Sequence, residues 1–132
     1  MDLNTLLHYI TSNHGWQMVT DPDGSHRIEV PTEAGRSQVV QVSAGWDPDN
    51  HPLLTIVSTV CQIAQVGDPW YLLKQNAELP YGGFAVVGDT IQLRETQLLE
   101  SADPDEMIRA IYYTATNADK FEKMVFGAVD KH

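Results

Sequence analysis

Leu3, Leu6, Leu7 and Ile10 recur at the spacing of one helical face, and Asn13-His14-Gly15 offers an exit through a left-handed glycine. A helix is therefore expected from the start of the chain to about Asn13. From Trp16 to Ile63 the pattern changes to short branched or aromatic runs, separated by turn residues at Asp21-Pro22-Asp23-Gly24, Glu33-Ala34-Gly35 and Asp47-Pro48-Asp49-Asn50. Such turns join strands as hairpins in series, which predicts an antiparallel sheet. Val39, Val40 and Val42 alternate only in part. Leu53 to Ile63 is apolar on both faces, with Leu54, Ile56 and Val60 on one and Val57, Cys61 and Ile63 on the other. A strand apolar on both sides needs cover on both sides. Helices of the same chain supply one cover; a second subunit, or a strand end curling under its own helix, supplies the other.

Asp68-Pro69 reads as a helix cap followed by a first-turn proline, and Trp70 to Asn76 form a short helix that Pro80 stops. Tyr81-Gly82-Gly83 leads into a strand pair, Phe84 to Val87 and Ile91 to Leu93, around the two-residue turn Gly88-Asp89. Asp103 caps the last helix, Pro104 suits its first turn, and Glu106 completes a capping-box arrangement with Asp105 adding favourable charge. Met107, Ile111, Ala118, Phe121 and Val125, joined by Thr114 and Ala128, make its apolar seam. The expected fold is α+β: an antiparallel sheet with helices packed on it, in the order α-β-β-β-(β)-α-β-β-α. At 132 residues, without a linker or repeat, the chain is expected to be a single domain over 1–132.

Composition narrows the partners. The net charge is −10, with seven acids and two bases in residues 1–50 and eleven and six in residues 51–132, −5 for each part. A chain without a basic stripe is repelled by phosphate backbones and anionic lipids, so neither nucleic acid nor a membrane surface is an expected partner. Cys61, the only cysteine, sits in the run IVSTVCQI and reads as a small buried hydrophobe. MDLNTLLHYI lacks a basic flank and a cleavage site, and no run approaches the ~20 apolar residues that cross a bilayer. A cytoplasmic location is the expectation.

Particular residues carry a family likeness. Leu72, Leu73 and Asn76, then Leu79 to Gly83 with Phe84, Ala85 and Val86, and then Ser101 to Ile111 with Ala118, Asp119 and Phe121 resemble the type III secretion chaperones and the YbjN family, which share a fold. The likeness covers about two thirds of the chain from Leu53 onward, and the first helix and strands more loosely. Trp16 to Thr20 departs from it by adding a strand before the usual three. The resemblance implies a homodimer with a protein-binding role and passes on no catalytic residue. It also places the short helix near the dimer contact, which makes Trp70 and Tyr71, with the outward Val57 of the long strand, the expected interface residues.

Nothing in the pattern organises a reaction. His8, His14, His26, His51 and His132 match no zinc spacing and read as surface or turn histidines. Asp21, Asp23 and Gly24, like Asp47, Asp49 and Asn50, are fragments of calcium-loop chemistry without the remaining ligands, and such residues favour turns for their own backbone bonds. Gly82-Gly83 and Gly88 precede strands where a phosphate cradle needs a helix N-terminus. No cofactor, metal or catalytic residue is expected. The expected function is a non-enzymatic, protein-binding homodimer, chaperone-like or a regulatory adaptor. The alternatives are a secretion chaperone for one client and a small-ligand protein or enzyme with a pocket between sheet and helix.

Overall fold

The computed structural model describes residues 2–126. Helix α1 (Leu3–His14) is followed by strands β1 (Gln17–Thr20), β2 (His26–Glu33), β3 (Arg36–Trp46) and β4 (Pro52–Gln62), helix α2 (Pro69–Asn76), strands β5 (Gly83–Val87) and β6 (Thr90–Leu98), and helix α3 (Pro104–Phe126). Short 3-10 turns at Ile63–Gln65 and Leu99–Ser101 close β4 and β6. The sheet is antiparallel throughout with the order β1-β2-β3-β4-β6-β5, so the expected α+β order holds with the extra first strand present.

Local chemistry sets the helix ends. Asp2 accepts the Thr5 N–H at 2.8 Å, and the left-handed Gly15 turns the chain out of α1. Asp68 accepts the Trp70 N–H at 3.1 Å to start α2, and Asp103 accepts the Glu106 N–H at 2.9 Å to start α3. The seam of α3 lies on the sheet as expected from Met107 to Phe121; Ala128 lies outside the described residues. Ala110, Ala115 and Ala118 are fully buried along it, and small side chains there let the helix axis approach the strands.

The core falls into two clusters on one face of the sheet. The larger joins Leu3, Leu6, Leu7 and Ile10 of α1 to Ile28, Val30, Val40, Val42, Leu54 and Ile56 of the strands and to Met107 and Ile111 of α3. The smaller gathers Val60, Cys61, Leu72, Ile91, Leu93, Ala118 and Phe121. Each fully buried Leu, Ile or Val contributes about 1.5 to 3 kcal/mol relative to exposure, so these clusters dominate the fold's stabilisation. Buried Gln38 donates to the Ser58 hydroxyl at 2.9 Å and the Thr59 carbonyl at 3.0 Å, and Ser58 donates to the Val39 carbonyl at 2.7 Å. Ser58 lies in sequence between Ile56 of the first cluster and Val60 of the second, so this polar contact marks their boundary.

One expectation about β4 is corrected. Its ladder to β6 shifts register between Thr59 and Cys61, and Cys61 pairs with the buried Ile91. This bulge puts both Val60 and Cys61 into the helix-side cluster, and Ile63 packs against the same cluster. The second apolar face of the strand is thus largely its own end curling under its helices; Val57 alone of the three expected outward residues stays outward.

A second correction concerns His26. It is buried rather than at the surface, because β1 folds beside it with Thr20 as its ladder partner and the Thr20 hydroxyl 3.0 Å from its Nδ1.

Candidate functional site

The junction of α2 with β5 is the most distinctive surface. Eight residues make two turns of helix, enough to bury one side chain, Leu72, while Trp70 at 67% and Leu73 at 57% remain exposed. Strand β5 ends the sheet, and its Val86 at 56% and Val87 are exposed beside them. Between helix and strand runs a groove of about 260 Å³, lined by Pro69, Trp70, Leu73, Phe84, Ala85 and Val86 over a floor of Leu72 and Ile91. No charged side chain lines it. A contiguous exposed apolar patch of this kind is characteristic of interaction surfaces.

Asn76, Gly82 and Phe84 hold the junction together. Phe84 donates its N–H to Asn76 Oδ1 at 2.6 Å, and Asn76 Nδ2 reaches the Phe84 carbonyl at 3.5 Å, so the helix end is stitched to the strand start. Gly82 has φ +70, and a Cβ there would collide with the Arg94 carbonyl oxygen of β6. The Phe84 ring meets Phe121 edge-on at 4.6 Å between centroids, tying β5 to α3.

The expected interface residues separate. Trp70 lines the groove. Tyr71 flanks the other side of α2, in a hollow of about 290 Å³ shared with Val60, Cys61, Val66, Leu72 and Phe121. Val57 lies on the helix-free face of the sheet, in a depression with Arg27, Val39, Gln41 and Thr59, and lines neither hollow beside α2. Leu73 and Val86, which enter the sequence reading only as residues of the family likeness, belong to the groove. The signal was present: Phe84-Ala85-Val86-Val87 is apolar at every position, and a single layer of helices covers only alternate ones.

The carboxylates of the turns have structural partners. The Asp21 carboxylate takes two nitrogens of Arg27, Asp23 accepts from the Ser25 amide and hydroxyl, and Asp47 accepts from the Asp49 and His51 amides. The Ser25 bonds hold the Asp23 carboxyl below its usual range. Burial, reinforced by the Glu122 charge, raises the Cys61 thiol, which keeps it protonated and unreactive. Arg36, nearly buried at the start of β3, meets Asp119 of α3 at 2.7 Å and Glu122 at 3.8 Å, and the Thr32 hydroxyl donates to Asp119 at 2.9 Å. Burial alone would raise the Asp119 carboxyl; the Arg36 and Thr32 bonds outweigh it and hold the group below its ordinary value. Among the described residues, no three His, Cys, Asp or Glu side chains come together to hold a metal ion.

No family model matches the chain, and no curated protein matches it by sequence. Solved structures do match. The Yersinia pestis type III secretion chaperone SycH, solved in complex with a stable fragment of YscM2, superposes with a TM-score of 0.56 at 13% identity, over 92% of this chain and 97% of SycH. The chain therefore has a type III secretion chaperone-like fold. Among the described residues no helix is long and apolar enough to cross a membrane, which says nothing about strands.

Proposed function

We propose that this chain is a single chaperone-like domain without chemistry of its own, which binds protein and works as a homodimer through the α2–β5 surface. The observation that carries the reading is the exposed apolar groove without a charged lining in a chain of net charge −10. Two copies of such a chain repel over most of their surfaces, so association is favoured where apolar area is large and charge absent. SycH, which shares the fold, is described with a bound protein fragment, and that supports protein binding as the use of this architecture. The Leu72, Leu73 and Asn76 helix end and the Gly82-Gly83 link extend the likeness to the YbjN group, whose chaperone-like or regulatory adaptor role suits a cytoplasmic protein with one buried free cysteine.

The narrower reading, a secretion chaperone for one client, draws on the same SycH complex. In that case β1, at the opposite end of the sheet from β5, offers the backbone edge to which a client strand adds.

Light scattering across a concentration series tests the dimer. The native chain is expected to run as a dimer, and Trp70→Ala or Leu73→Ala to weaken association while leaving the circular dichroism unchanged. Truncating a central aromatic anchor costs about 2 kcal/mol or more, roughly 30-fold in Kd. A native chain that stays monomeric throughout the series ends this reading.

A further inference from the structure

We propose that the last four residues of β6, Glu95 to Leu98, are an open sheet edge for an extended basic segment of another protein, which pairs its backbone with Thr96 and Leu98 and sets Lys or Arg side chains against Glu95 and Gln97. The contact is separate from the α2–β5 groove and from β1, and it does not depend on the dimer.

Strand β6 outruns one of its neighbours. On one side β4 pairs with it along its whole length, from Gln62 with Thr90 to Leu53 with Leu98. On the other side β5 covers only Thr90 to Arg94, ending where Gly83 meets Arg94. Gly82 is the reason: its φ of +70 turns the backbone, and Tyr81 before it stacks on Tyr113 of α3 with 5.4 Å between ring centroids. The chain thus enters β5 from the helix layer and leaves the end of β6 without a strand outside it.

The ladder fixes which backbone groups face that side. Successive residues of an antiparallel strand direct their backbone groups to one neighbour and the other in turn. Phe84 gives its N–H to Asn76, so Phe84 and its partner Leu93 face away from each other, while Gly83 and Arg94 face each other. The Arg94 carbonyl, directed at Gly82, agrees. Continuing along β6, Glu95 and Gln97 face β4, and Thr96 and Leu98 face outward. The Leu98 carbonyl takes the Ser101 hydroxyl at 3.4 Å. Among the described residues, the Thr96 N–H, the Thr96 carbonyl and the Leu98 N–H have no other strand, loop or side chain bonded to them on that side, and both residues are exposed. Free groups at alternate residues are what an added strand pairs with.

Side chains set the partner's chemistry. A residue paired with Glu95 or Gln97 places its side chain on the same face, beside theirs. Gln97 Nε2 donates to Glu95 Oε1 at 3.2 Å, which leaves Glu95 Oε2 and Gln97 Oε1 shielded from water without a donor. Acceptors left in that state are costly. Both residues are only partly covered, so rotation about their outer torsions brings these oxygens to the edge. Two acceptors, one of them on a carboxylate, in a chain of net charge −10 fit a cationic donor and turn away an acidic one. Residues paired with Thr96 and Leu98 fall on the other face, beside a hydroxyl and the exposed Leu98, which suits Thr and Val.

Titration of the native chain with the capped pentapeptide Ser-Val-Lys-Thr-Arg, read by residue-level amide exchange, tests this. The peptide is expected to protect the Thr96 and Leu98 amides and to bind about 10-fold more tightly than the same peptide with Gln for Lys and Arg. Methylating the backbone nitrogens of its Val and Thr is expected to abolish binding, and Glu95→Gln to remove most of the preference for the basic peptide. If Glu95→Gln is unfolded by circular dichroism, the peptide substitutions decide alone. Equal binding of the Gln peptide would overturn the role of Glu95 and Gln97, and equal binding of the methylated one would overturn strand pairing. No binding, or protection in β1 instead, would overturn the site. Protection of Thr96 and Leu98 that appears with concentration in the absence of peptide would assign the edge to a second copy of this chain. Light scattering on the same samples reports the dimer separately, so either reading can fail without the other.

Discussion

Arg36 acts far from its own position in sequence. Its guanidinium fixes the β2–β3 hairpin to the second half of α3 through Asp119 and Glu122, 83 or more positions away. Removing one member of a buried pair leaves the other charge without compensation, at about 3 to 5 kcal/mol. Arg36→Met is expected to lower the urea midpoint accordingly. Because the folded Asp119 carboxyl lies below the usual 3.8, its stabilising share is fully present above that value and is lost as the pH falls from there through the lower folded value. His26 gives the second pH effect. Burial lowers its pKa, the nearby His8 charge lowers it further, and Asp21 opposes both. The unfolded chain therefore takes up a proton that the folded chain resists, so stability falls as the pH drops through the ordinary histidine value of 6.5. His26→Gln is expected to flatten that part of a stability-against-pH curve; an unchanged slope would assign the loss to other groups. Neither residue was legible in sequence. Arg36 and Asp119 look like surface charges until the fold brings them together, and His26 looks like a turn residue until β1 covers it.

Among the elements, the α2–β5 link has the least freedom. Gly82 combines a left-handed backbone with a β6 carbonyl where a side chain would begin. Gly82→Ala is expected to cost more than the 1 to 2 kcal/mol of left-handed strain alone, roughly what Gly24→Ala should show, since a Cβ at Gly24 meets nothing within 4 Å. Thermal unfolding of the two variants measures the difference, and equal losses would show that the Arg94 carbonyl yields. This link also shows why elements were readable. Caps such as Asp68 and Asp103, and turns such as Gly88-Asp89, are decided by a few adjacent residues, and the structure reproduces each. The β4 bulge was not, because one extra residue in an apolar run imitates a strand with two buried faces.

At the scale of the molecule, charge, burial and association bear on one another. The even division of the −10 charge hides its absence from the groove, which no count by sequence position can reveal. The choice of Trp70 came from family likeness; the companions Leu73 and Val86 required knowing that α2 is too short to cover β5. Val57 does face outward, yet it stands apart from the groove, in a separate hollow of the sheet with β6 between its strand and β5. The Gln38–Ser58 contact gives the two cores a seam in the mechanical sense. A seam lets one side slacken before the other, and the side with fewer buried groups carries α2, β5 and the groove. Clamping that side in a complex should tighten the half of the chain with the smaller core, so occupancy by a partner would register as rigidity well before it registers as any change of shape.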